Sequence, residues 1–201
     1  LAVVYRARHR LVDRPCAVKI MNADLAGVAV VRERFRREAK ATQKVAHPNV
    51  VEIFDQGETE SVELYLVMEL LEGETLAARL RRGPLSLAQA LQVSVQIARA
   101  LARAHDLDVV HRDLTPENVF LTVSEDAAPR VVLLDFGIAR SMQDERLTAV
   151  GEIFGTPQYM APERITSLDA GSSADLYAMG VMIFEALTGR LPFVATSPAD
   201  Y

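Results

Sequence analysis

The chain has 201 residues, half of them hydrophobic and 24% charged, so it can bury a real core and is not intrinsically disordered. Its 22 Lys and Arg against 27 Asp and Glu give a net charge of −5, which argues against nucleic acid as a partner because phosphate backbones select strongly basic faces. A single cysteine, Cys16, excludes a disulfide framework or a Cys-rich zinc site and fits a reducing, cytosolic setting.

No apolar run approaches the roughly 18 residues needed to span a bilayer. The opening Leu1-Ala2-Val3-Val4-Tyr5-Arg6 lacks the shape of a signal peptide. With no initiator Met, the chain is expected to be a piece of something longer.

In chain order, Val3–Arg8 and Pro15–Met21 read as two strands joined by a basic turn at His9 to Arg14. In the second, Ala17, Lys19 and Met21 share one face and Val18 and Ile20 the other. A helix is expected from about Val30 to Val45, with Val31, Phe35, Thr42 and Val45 in one stripe and Glu38 inside it. Pro48 in His47-Pro48-Asn49 ends it. Val50–Phe54 and Glu63–Glu69 read as strands with a turn at Gly57, and Leu71 to Thr75 as a polar connector. Ser86 with Gln89 forms a capping box opening a long helix, whose face is expected to run Leu87, Leu91, Val95, Ala98, Ala102 and His105. Short strands follow at Val109-Val110, Val119–Val123 and Val131–Leu134. A last, apolar helix spans Ser173 to Thr188, stopped by Gly189 with Pro192 beyond. The pattern implies two lobes: residues 1–68, a hinge at 69–72, and residues 73–201.

Several residues carry chemistry. Asp113 and Asn118 sit in a loop between two short strands, where catalytic groups are often mounted; Asp and Asn are also ordinary turn formers. Asp135, at the end of an apolar strand, would with Asn118 supply oxygen ligands suited to Mg2+, although Asp-Phe-Gly is equally a strand-end turn. Lys19 and Glu38 both interrupt apolar faces, and the simplest remedy for two such charges is that they meet. Each alone also fits a side chain that lays its stem on apolar surface and its charge in water. The segment Gly155 to Glu163 with its two prolines reads as a stiff connector, and Asp175 as an acid in the first turn of a helix.

The order of these features decides between the readings. Ala17-Val18-Lys19, Glu38, His111-Arg112-Asp113 with Asn118, Asp135-Phe136-Gly137, Ala161-Pro162-Glu163 and Asp175 together resemble the protein-kinase signature set. His47-Pro48-Asn49, Val67-Met68-Glu69-Leu70, Asp135 to Arg140 and Leu187 to Phe193 make it most similar to the bacterial Hanks-type serine/threonine kinases, over essentially the whole chain.

The resemblance implies an α+β, bilobal fold: a small antiparallel-sheet lobe with one main helix, and a mainly helical large lobe. It implies an ATP- and Mg2+-dependent phosphotransferase acting on Ser/Thr hydroxyls of proteins, in signalling. Lys19, held by Glu38, would contact the α- and β-phosphates. Asp113 would orient the acceptor hydroxyl and accept its proton, and Asn118 and Asp135 would hold Mg2+. Val4, Ala17, Phe120 and Leu134 would enclose the adenine, Met68 would be the gatekeeper, and Glu69 and Leu71 would offer hinge backbone bonds. Thr156 would line the acceptor pocket, and Asp175 would anchor the catalytic loop. Arg112 beside Asp113 goes with control by activation-loop phosphorylation, for which Thr148 stands at the expected place, unless it is simply an unmodified loop threonine. The resemblance further implies contact between two kinase chains for autophosphorylation in trans. It implies a cytoplasmic catalytic piece, whose parent is in some relatives membrane-tethered through another segment.

Three departures stand out. Only the tail of the Gly-rich loop is present, Ala2-Val3-Val4. Thr115 occupies the place of a Lys that normally faces the transferred phosphoryl group, and losing such a cation resembles removal of an oxyanion donor, roughly 3 kcal/mol. The sequence ends at Tyr201, before the helices that usually supply a basic partner for Glu163. Thr115 and the cut loop leave a second reading, a pseudokinase or signalling scaffold with weak or no turnover. A small-molecule phosphotransferase is disfavoured by Gly155-Thr156 and Ala161-Pro162-Glu163, and tyrosine specificity by Leu114 to Asn118.

Overall fold

The alternation of Ala17, Lys19 and Met21 does what a half-buried strand requires: all three are buried while Val18 and Ile20 are partly exposed. This strand, β2 (Pro15–Met21), pairs antiparallel with β1 (Ala2–Arg8) through the turn at His9 to Arg14, and on its other side with β4 (Leu64–Glu69). The computed structural model describes residues 2–21, 29–60, 63–123, 129–136, 157–166 and 171–193. With β3 (Ile53–Glu58) the first sheet has the order β1-β2-β4-β3. Helix α1 (Ala29–Lys44) lays Phe35 and Ala39 against Met21, Ile53, Leu64 and Leu66, forming a small separate core.

Two expectations shift here. The strand expected at Val50–Phe54 begins at Ile53 and runs to Glu58; Val50 instead makes a lone parallel bridge to Leu133. Gly57 is not a turn but lies within β3, because the Tyr65 ring crosses its position: a Cβ there would stand 2.4 Å from the Tyr65 hydroxyl. A glycine in a strand marks close approach as readily as a turn.

The expected connector at 71–75 contains β5 (Gly73–Thr75), which joins β6 (Val119–Thr122) and β7 (Val131–Leu133) in a second sheet. Thr75 then caps a short helix, α2 (Leu76–Leu80), accepting from the Ala78 N–H at 3.1 Å. Val109-Val110 forms no strand. The capping box opens α3 (Leu87–His105) as expected, with Ser86 and Gln89 bonding each other reciprocally.

The face assigned to α3 is reversed. Leu87, Leu91 and Val95 are 65%, 55% and 47% exposed. The helix buries Ala90, Val93, Ile97, Ala100, Leu101 and Ala104 against β7 and the last helix, α5 (Ser173–Thr188). Both stripes are apolar at helical spacing. The buried one sets Val93, Ile97 and Leu101 beside Ala90, Ala100 and Ala104: the branched side chains fill the core and the alanines let the helices approach closely. Gly189 closes α5 in the left-handed conformation at φ 70°, its N–H donating to the Glu185 carbonyl. A four-residue helix, α4 (Glu163–Thr166), precedes α5. The α+β architecture, an antiparallel sheet with one main helix followed by a helical region, is the one expected.

Candidate active site

Strand register places four expected nucleotide-site residues on one face. Val4 is opposite Lys19 and Ala17 is opposite Met68, and residues directly opposite in a ladder share a face. Lys19 is the charged member of that face and is buried with Ala17, while Met68 is partly buried and Val4 is 56% exposed. Its ammonium meets the Asp135 carboxylate at 2.6 Å, with the two side chains 10% and 27% exposed. The Glu38 side chain lies outside the described residues, so the expected Lys19–Glu38 pair is not among the contacts seen.

Asp135 reaches Lys19 from the end of β7. Leu134 N–H donates to the Asn118 carbonyl at 2.9 Å, and Asp135 then takes φ 52°, a left-handed conformation uncommon for a non-glycine residue. Phe136 is buried and its ring lies 4.6 Å from that of His111, centroid to centroid. The His111 ring fixes its own tautomer. A carbonyl can only accept, so Nε2 carries the hydrogen donated to Leu134 O at 2.9 Å. Nδ1 is thereby the acceptor for the Asp113 N–H at 3.3 Å.

The loop from His111 to Asn118 is irregular, and Arg112 has φ 65°. Such a loop needs outside partners for its backbone. Asp175 supplies them from the first turn of α5. Its carboxylate, 1% exposed, accepts from His111 N–H at 2.8 Å, Arg112 N–H at 2.9 Å and His105 Nε2 at 2.8 Å. Sequence reading had put His105 on a packing face and missed this contact. The partners stand 70 residues apart, and no local pattern signals the pairing.

Asn118 sits at the end of a 3-10 turn begun by Pro116. Its Nδ2 donates to the Asp113 carbonyl at 2.7 Å and to the Asp113 carboxylate at 3.1 Å. That commits the amide nitrogen and leaves Oδ1 as an oxygen ligand. Asp135 uses Oδ2 for Lys19 and retains Oδ1. Two such oxygens suit Mg2+, which completes its shell with water and substrate phosphates. Among the described residues there is no group of three or more His, Cys, Asp or Glu that could hold a metal ion.

Thr115 is 6% exposed, and its side chain caps no backbone group of the turn that it begins. It borders a cavity of about 320 Å3 lined also by Glu117, Tyr159 and Glu185. Tyr159 donates to Glu185 at 2.5 Å, and burial, reinforced by Glu185, pushes its phenol well above the usual range, so it remains a donor. Arg164 donates to the Arg112 carbonyl, and Ser173 donates to Glu163 at 3.4 Å. Phe120, Leu71 and Leu134 are partly buried. Thr148 and Thr156 lie outside the described residues.

Residues 1–200 match the family model described as protein kinase domain. The chain is 40% identical over 201 residues to serine/threonine-protein kinase pkn2 of Myxococcus xanthus, covering 98% of this chain and 24% of that protein. It is 38% identical over 194 residues to serine/threonine-protein kinase PrkC of Bacillus subtilis, covering 96% and 29% respectively. Against serine/threonine-protein kinase PknH of Mycobacterium tuberculosis the identity is 41% over 195 residues, covering 96% and 30%. The chain thus spans less than a third of the length of these relatives. Among solved structures it is similar to the kinase domain of Mycobacterium tuberculosis PknI, as a double mutant. That match has a TM-score of 0.77 and 25% identity, and covers 98% of this chain and 71% of that one.

Proposed function

The chain belongs to the protein kinase domain family, and on that premise we propose that it is the catalytic piece of a serine/threonine kinase using ATP and Mg2+. The observation that carries this reading is the 2.6 Å contact between Lys19 and Asp135, which joins the first sheet to the strand end beside the Asp113–Asn118 pair. Residues 1–68 form the small lobe, 69–72 the hinge and 73–201 the large lobe. Val4, Ala17, Phe120 and Leu134 enclose the adenine; Met68 guards the pocket, and Glu69 and Leu71 supply hinge carbonyl and N–H groups.

Lys19, steadied by Glu38, binds the α- and β-phosphates. Asn118 Oδ1 and Asp135 hold Mg2+, which when bound neutralises charge on the phosphate oxygens. Asp113 orients the acceptor hydroxyl. The acceptor oxygen bonds to the γ-phosphorus, the bond to the bridging oxygen breaks to release ADP, and the hydroxyl proton passes to Asp113. Positioning dominates such a reaction, so Asp113 need not be a strong base. Thr115 and Thr156 face the transferred group and the acceptor. Thr115 offers one neutral hydrogen bond there instead of a cation.

The acceptors are Ser/Thr hydroxyls of proteins, including a second kinase chain in trans. Phosphate on Thr148 would order the activation loop through Arg112. Among the described residues no helix is long and apolar enough to cross a membrane, and we place this piece in the cytoplasm, with any tether elsewhere in the parent. The decisive experiment measures phosphate transfer from ATP to a protein acceptor by the full-length protein. Asp113→Asn should lower it by about 10²–10⁴-fold. Transfer that is absent, or unaffected by Asp113→Asn, leaves the scaffold reading in its place. If Thr148→Ala leaves autophosphorylation and activity unchanged, Thr148 is not the switch.

A further inference from the structure

The hinge residue Glu69 is held from the large lobe by a side chain that the reaction itself does not use. Arg130 places Nη2 at 2.7 and 2.8 Å from the two oxygens of the Glu69 carboxylate. The same carboxylate accepts from Glu52 N–H at 3.0 Å, while Glu69 N–H donates to the Glu52 carbonyl at 2.9 Å. The Glu69 backbone N–H is therefore closed to any ligand, and its side chain is tied to both lobes.

Arg130 is itself on a fixed mount. Its carbonyl accepts from Thr122 N–H at 3.0 Å and from the Thr122 hydroxyl at 3.2 Å. On either side of it, Gln96 of α3 donates to the Pro129 carbonyl at 3.1 Å and accepts from Val131 N–H at 3.0 Å. The Arg130 guanidinium thus acts as a strut from the large lobe, not as a loose surface cation. The Glu69 side chain is only 17% exposed, which limits screening of the pair, although Arg130 is 42% exposed.

Arg130 directly precedes β7 and Asp135 follows shortly after its end, so two ion pairs cross from the first sheet to the two ends of one strand. Two such points fix an angle where one leaves a pivot. Nucleotide and Mg2+ compete for Lys19 and Asp135, and the Arg130–Glu69 pair then remains, beside the backbone bonds that join Asn49 and Val51 to Leu133, to hold the hinge end of β4 in register. We propose that Arg130 is a positioning residue of the nucleotide site, setting through Glu69 the pose in which the hinge meets the adenine. This rests on the nucleotide-site reading above.

The test uses the full-length protein. Arg130→Ala is expected to raise the KM for ATP about three- to ten-fold, the range of a partly exposed ion pair, with the effect falling on KM and not on kcat. Arg130→Lys, which restores the charge, should recover most of the loss. Without nucleotide, hydrogen exchange at the Glu52 amide should speed up in Arg130→Ala, since that N–H donates to the carboxylate Arg130 steadies. An unchanged KM, or a loss in kcat alone, overturns the positioning role even if exchange quickens. Unaltered exchange at Glu52 overturns the strut. Failure of the unaltered protein to bind ATP overturns the nucleotide-site reading and the positioning role together.

Discussion

The loop from His111 to Asn118 and the Lys19 strand are built on different principles, although Lys19 reaches Asp135 beside that loop. The loop is irregular and includes a non-glycine residue at positive φ, yet the N–H groups of His111, Arg112 and Asp113 and the Asp113 carbonyl each have a side-chain partner. Its anchor, Asp175, is buried on α5 and holds three donors at once. Lys19 sits on a regular strand whose own ladder needs no help, and its ammonium crosses to the other lobe for its partner. The lower half is preorganised by buried hydrogen bonds. Lys19 of the upper half is tied across by an ion pair instead of a network of backbone hydrogen bonds.

Mutations should separate the two. The largest effect is expected for Asp175→Ala, which strands two backbone N–H groups and His105 in the interior. Stability should fall by about 3 kcal/mol and activity by at least about 100-fold, read by thermal unfolding and by transfer rate. A loss of activity with unchanged stability would break the contrast. Lys19→Met should also cost about 100-fold or more in phosphoryl transfer, but with the melting temperature moved by no more than a few degrees, because an apolar chain fills the place of a nearly buried ammonium and the Asp135 carboxylate left behind, 27% exposed, turns to water. A large loss of stability would show that the upper half is as firmly built as the lower.

Thr115→Lys sharpens the picture at the reacting atoms. If the missing cation limits the rate, phosphoryl transfer should rise by up to about 100-fold with little change in the KM for ATP. An unchanged or lower rate would show that another cation already serves there. The smallest effect is expected for His105→Ala. It leaves Asp175 with its two backbone donors and removes one, so stability should fall by about 1–2 kcal/mol and activity by less than ten-fold. The measurement is a paired one, urea unfolding beside the transfer rate. Equal losses in His105→Ala and Asp175→Ala would mean that the imidazole, not the backbone bonds, holds the loop.

Much of this was legible in the sequence where the signal is local. The capping box at Ser86 and Gln89, the αL stop at Gly189 and the alternation of Ala17, Lys19 and Met21 each need only a few neighbouring residues. The order of spaced motifs named the family. What failed was orientation and partnership. Both stripes of α3 are apolar at helical spacing, and the one through Val93, Ile97 and Leu101 is buried because that side meets β7 and α5. Gly57 reads as a turn until the Tyr65 ring is seen to lie over it.

By itself, the sequence determined which chemical groups the chain carries and how strands and helices are punctuated, because those follow from side-chain type, spacing and backbone preference within a turn or two. Only the tertiary structure decided that Lys19 meets Asp135, that His105 joins Asp175 and that Arg130 braces Glu69. The partners in each pair lie dozens of residues apart. A buried or half-buried charge demands some partner, but which partner is set by where packing brings distant segments together.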